Sequence, residues 1–139
     1  MISKRLILKA LRDNLEHVCL EIGENFKGKR SSELLKTDEV AIFDDLLLSP
    51  DRSLGLADNS SDIQKGIYQV SIYIPRTFQS NADWSAMAIS DRIQTGFKKG
   101  LELCEDGQMT RMKNSRVNEL DPIDTHFIYA VSINFSVIN

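Results

Sequence analysis

The chain has little of what catalytic or membrane-spanning proteins are built from. Its 139 residues include two cysteines, two histidines, three prolines and one tryptophan, and aromatics reach 7%. The histidines, His17 and His126, stand far apart, and neither has a carboxylate or cysteine at a ligand spacing, so no metal site is expected. No phosphate-cradling glycine loop, nucleophile elbow or HExxH pair occurs. Asp44 and Asp45 are adjacent, and neighbours in a strand point to opposite faces, so they make no acid–base dyad. No catalytic residue and no cofactor are therefore expected, and the chain does not read as an enzyme.

Other absences bound the setting. Cys19 and Cys104 read as small buried apolar residues rather than a disulfide. The apolar run at Leu46–Leu48 adjoins Asp44 and Asp45 and is far too short for a bilayer. Lys9, Arg12 and Asp13 break any apolar leader after the basic start, so secretion is not expected and a cytoplasmic origin is. Net charge is −3, from 17 Lys and Arg against 20 Asp and Glu. Residues 1–60 carry nine bases and eleven acids, so no half forms a basic field and tight nucleic-acid binding is disfavoured. KGKR, Lys27 to Arg30, is the single basic cluster and reads as a solvated loop.

What is present is patterning for one domain, with 42% hydrophobic and 27% charged residues. Ser3 is placed to cap a helix to about Val18, whose buried stripe is Ile7, Leu11, Leu15 and Val18. A short strand is expected over Cys19–Glu24, a loop over Phe26–Ser32, and a strand over Glu39–Leu48 with a bulge near Asp44-Asp45. The stretch 49–65, with Pro50, Gly55 and the polar string Asp58–Asp62, reads as a mobile loop; Leu54 and Leu56 are oddly apolar for it.

The strongest strand is Gly66–Pro75, with Tyr68, Val70, Ile72 and Ile74 on one face. A helix follows from Ser80 or Asn81, with Ser80 as cap, Asp83 in the first turn and Ala82, Ala86, Ile89, Ile93 and Phe97 as its stripe. Lys98 and Lys99 are expected in its last turn, with Gly100 as the left-handed cap. A turn at Glu105–Gly107, a strand over Gln108–Asn114, a connection over Asn118–Asp124 and a strand over Phe127–Val137 complete the pattern. The order α-β-β-β-α-β-β predicts a single α+β domain, a largely antiparallel sheet with both helices on one face.

The run Gly66-Ile67-Tyr68-Gln69-Val70-Ser71-Ile72-Tyr73-Ile74-Pro75, the helix Ala82 to Phe97 closing on Gly100-Leu101, and the strand Phe127 to Val137 together resemble the phage tail terminator-like family. Glu24-Asn25-Phe26 is similar to an early element of that family. The turn Arg76-Thr77-Phe78-Gln79 departs from its usual proline-and-glycine turn, and 27–58 matches only in outline.

The resemblance implies a structural virion protein over residues 1–139: a ring, usually of six copies, capping the head-proximal end of the tail tube. Such a ring stops tube polymerisation and offers a surface for head–tail joining. Implied partners are further copies of the chain, the major tail protein and the neck proteins; DNA passes through without specific binding, and no membrane is involved. The implied location is the virion, after assembly in the bacterial cytoplasm. The alternative is a small non-catalytic α+β adaptor or ligand-binding domain. Candidate interface residues are Leu54, Leu56, Arg76 and Trp84, with tryptophan favoured as a contact anchor. Trp84 reads equally well as part of the core, and Arg76 and Phe78 as loop anchors.

Overall fold

Ser3 does cap the first helix: its hydroxyl accepts from the Leu6 N–H at 3.4 Å. The computed structural model describes residues 2–24, 26–29, 35–49 and 63–138, the side chains of Gln79 and Ser80 excepted. The helix, α1, spans Lys4–Ile22 and ends at Gly23, whose φ of 74° is the left-handed conformation that glycine adopts without strain. It therefore runs past Val18, and the strand expected over Cys19–Glu24 is helix and cap instead. Buried Cys19 extends the Ile7–Leu11–Leu15–Val18 stripe by one residue, which keeps the helix seated.

Six strands form one sheet in the order β1-β2-β3-β6-β5-β4. They are β1 Phe26–Lys29, β2 Ala41–Leu48, β3 Ile63–Pro75, β4 Glu102–Glu105, β5 Gln108–Leu120 and β6 His126–Ile138. All neighbours are antiparallel except β1 and β2. A 3-10 helix, Arg76–Asn81, leads from β3 into α2, Ala82–Gly96. The result is the expected α+β domain with a mostly antiparallel sheet, with one further short strand, β4, before β5.

The central pair, β3 with β6, is in register from Ile63 opposite Ile138 to Pro75 opposite His126. That register places Tyr68, Val70, Ile72 and Ile74 beside Ile133, Val131, Tyr129 and Phe127 on the face that α1 and α2 cover. The other face holds a smaller apolar cluster of Ala41, Phe43, Tyr73 and Ile128, against which Leu35 and Ile123 pack. Tyr73, 4% exposed, belongs to this second core.

Several boundaries differ from expectation. β2 pairs with β3 without interruption from Ala41–Tyr73 to Leu48–Gly66, so no bulge lies at Asp44-Asp45. None is needed, because Asp44 is an inward-facing polar residue rather than a break in the pattern: it is 3% exposed and Asp45 is exposed. The irregularity falls in β5, between Met112 and Ser115. Phe26–Lys29 is strand rather than loop, and β5 continues through Asn118 to Leu120, leaving a shorter connection. Residues 63–65 belong to β3, while 50–62, including Leu54 and Leu56, lie outside the described residues.

α2 stops at Gly96, with Phe97 as its cap, so Lys98 and Lys99 fall beyond its last turn. Gly100 is left-handed, φ 91°, but in the turn into β4, where its N–H donates to the Met112 carbonyl at 2.9 Å. At the other end Asn81 occupies the cap position and makes no side-chain cap bond; the Ser80 side chain lies outside the described set.

Candidate interface

The α2 sequence buries Ala82, Ala86, Ile89 and Ile93 and so turns Trp84 and Met87 outward. Trp84 is 78% exposed and Met87 63%. Residues three apart on a helix are surface neighbours, so the two make one apolar ridge. Trp84 is therefore not a core residue.

Two concavities flank the ridge. Toward the end of α1 lies a groove of about 500 Å³ lined by Glu21, Ile22, Glu24, Phe78, Trp84 and Arg92, among others. Arg92 stands 4.0 Å from Glu21 across it. Partial burial there pushes the Glu24 carboxyl above the usual carboxylate range. Toward β5 lies a hollow of about 400 Å³ whose lining includes Asp83, Met87, Asp91, Val117, Glu119 and Tyr129. No cation lines it. The Tyr129 hydroxyl donates to Asp83, and burial together with that bond raises the phenol's pKa. The hollow thus keeps an acidic rim around an apolar floor.

The strand bordering this hollow has a bare outer edge. β4 pairs with β5 only from Gln108 to Arg111. The Met112 N–H then donates to the Leu101 carbonyl at 2.8 Å. From Lys113 to Leu120 no strand pairs with that side among the described residues. At the other end of the sheet β1 pairs with β2 alone among the described residues, leaving a second edge that no described strand covers. Leu20, 80% exposed, lines a hollow beside that edge with Glu16, Cys19, Glu24 and Phe26.

Of the sequence candidates, Trp84 is brought to the centre of this surface. Arg76 is exposed at the end of β3, where its Nε donates to the Ile123 carbonyl at 2.9 Å and its guanidinium lies 5.1 Å from the Phe127 ring centre. It anchors the β5–β6 connection, and Phe78 packs half-buried on the core. Met87, Leu20 and the β5 edge were missed by sequence reasoning. Met87 and Leu20 both fall off the buried stripes of their helices, and that signal was available.

The polar groups that do converge are built for structure. Asp44 accepts from the Tyr68 hydroxyl at 2.6 Å and from Arg12 Nε and Nη2 at 2.7 and 3.0 Å. All three of its partners' hydrogens point inward from α1 and β3, which ties the helix to the sheet. Asp13, His17, Glu102 and Cys104 line a shallow hollow, yet among the described residues no three such groups are arranged to hold a metal ion. Cys104 is exposed rather than buried, and both cysteines are free. Among the described residues no helix is long and apolar enough to cross a membrane.

No protein-family model and no curated protein matches the chain. A solved structure whose name states no function is similar to it, with a TM-score of 0.75 at 15% identity, over 99% of this chain and 96% of that one. At that identity the likeness concerns the fold alone.

Proposed function

We propose that the chain is a structural virion protein of the tail terminator type. Copies form a ring, six in the usual case, that caps the head-proximal end of the tail tube, stops its polymerisation and offers the head–tail joining surface. It works by contact and transforms no molecule. Its partners are further copies of itself, the major tail protein and the neck proteins, and its place is the head–tail junction, after assembly in the bacterial cytoplasm.

The observation that carries the reading is the combination of the Gly66–Pro75 sequence, which resembles the family, with a sheet that places that strand centrally and ends in two unlike edges, neither fully covered among the described residues. A contact between unlike surfaces of identical chains is heterologous, and it closes into a ring when the rotation per subunit divides the circle. The exposed Trp84–Met87 ridge supplies an apolar anchor of the kind that dominates protein contacts. A chain at −3 has no concentrated basic field, so a ring of them lets DNA pass without retaining it.

Deletion of the gene tests the proposal. The expected outcome is tails of uncontrolled length or heads without joined tails, seen by electron microscopy and restored by complementation; normal particles overturn it. The groove of about 500 Å³ beside Trp84 favours one other reading, a ligand-binding adaptor. That reading predicts a protein that stays monomeric or dimeric in light scattering and a deletion strain with normal virions.

A further inference from the structure

We propose that copies join head to tail, the β1 edge of one lying along the bare outer edge of β5, Lys113–Leu120, in the next. This names the self-contact of the ring reading and rests on it. The two edges close opposite ends of one sheet, so each added copy presents the same free edge that it consumed. Backbone N–H and C=O groups along an unpaired strand are a ready template for another strand.

Charge selects between the ways two copies can meet. The α2–β5 hollow carries Asp83, Asp91 and Glu119. Pairing β5 with its own copy about a two-fold axis sets these carboxylates against themselves, which is unfavourable. β1 comes from the chain's densest basic run and brings Lys27 and Lys29. Lys27 already faces Glu39 at 3.1 Å, so Lys29, exposed, is the cation offered to the hollow. Apolar surface matches in the same sense, Leu20 and Phe26 on one side and Met87 and Val117 on the other.

Cross-linking tests the contact. In a Cys104→Ser background, Cys19 being buried, Leu20→Cys and Met87→Cys are introduced singly and together, which leaves Lys29 and Glu119 in place. Both replaced side chains are exposed, so the fold tolerates them. A short bismaleimide is expected to give the double variant a ladder of trimers and higher species, while each single variant gives dimers at most. Addition of Glu119→Lys to the double variant is expected to cut the ladder at least tenfold. A double variant that yields no species beyond dimers overturns the contact, as does a ladder indifferent to Glu119→Lys. If rings still form in light scattering without the ladder, this contact fails and the ring reading stands; normal virions after gene deletion remove the ring reading itself.

Discussion

Asp44 is the residue on which the seating of α1 depends. A carboxylate 3% exposed is tolerated because Tyr68 and Arg12 satisfy it, and removing it leaves a buried hydroxyl and a guanidinium without their acceptor. Asp44→Ala is expected to cost about 2–3 kcal/mol in urea unfolding, and Tyr68→Phe, which keeps the ion pair, about 1 kcal/mol. Asp45→Ala, one position along and exposed, is expected to stay within about 0.5 kcal/mol of the parent. Equal losses at the two aspartates would contradict the assignment of Asp44 as the latch. Cys19 gives a second check through pH. Burial, aided by the nearby Glu24 and Glu16 charges, pushes its thiol up to about 12. A pKa raised on folding means that the folded chain keeps a proton the unfolded chain has already lost. Stability is then complete below about pH 9 and falls as pH rises toward 12, by at most about 1.4 kcal/mol per pH unit from this group. The buried Tyr68 phenol, also raised by burial and by Asp44, adds to the fall above about pH 10. Cys19→Ala is expected to flatten the part of the curve that begins near pH 9; an unchanged slope there would count against the buried-thiol origin.

The packing of α1 against α2 turns on a position where helix propensity gives the wrong sign. Gly96 ends α2 beneath Val18, and a Cβ there would run into Val18 Cγ2. Propensity alone assigns Gly→Ala in a helix a gain of about 1 kcal/mol. The expected result of Gly96→Ala is instead a loss of about 1–3 kcal/mol from overpacking, with recovery when Val18→Ala accompanies it. A stabilised single variant would show that the helices can move apart freely. The same difference between local pattern and packing marks what was legible in the sequence. β3, β6 and the α2 stripe were readable because one face of each is fully buried, and burial writes period two or 3.6 into the residues. β4 and the far half of β5 were not, since Glu102, Cys104, Lys113, Arg116 and Glu119 are exposed and an edge strand needs no apolar alternation. The end of α1 was misread because Cys19 and Ile22 suit a strand as well as a helix until Gly23 is known to be left-handed. Asp44 looked like a break in β2, because a buried ion pair has no signature in a single segment. Trp84 was legible as a candidate by type and Met87 by its place off the buried stripe, but the open edge beside them emerges only when β5 is brought under α2.

The whole sheet sets which parts of the backbone can respond to assembly. β3 and β6 pair along thirteen positions at its centre and carry both apolar clusters, so their amides open only with the whole fold. Hydrogen exchange in the isolated chain is expected to be slowest over Tyr68–Ile74 and Tyr129–Phe135, and faster by orders of magnitude for amides facing outward in Lys113–Leu120 and Phe26–Lys29. Assembled protein then separates two kinds of contact. If copies join by adding strand to strand, those two short stretches gain protection together, because each outward amide acquires a backbone acceptor. A contact made by the Trp84–Met87 ridge alone would bury side chains and leave edge amides exchanging as before, since α2 amides are already bonded within the helix. Protection confined to one of the two edges would point to a different protein seated there, because a repeating contact between identical chains must use both.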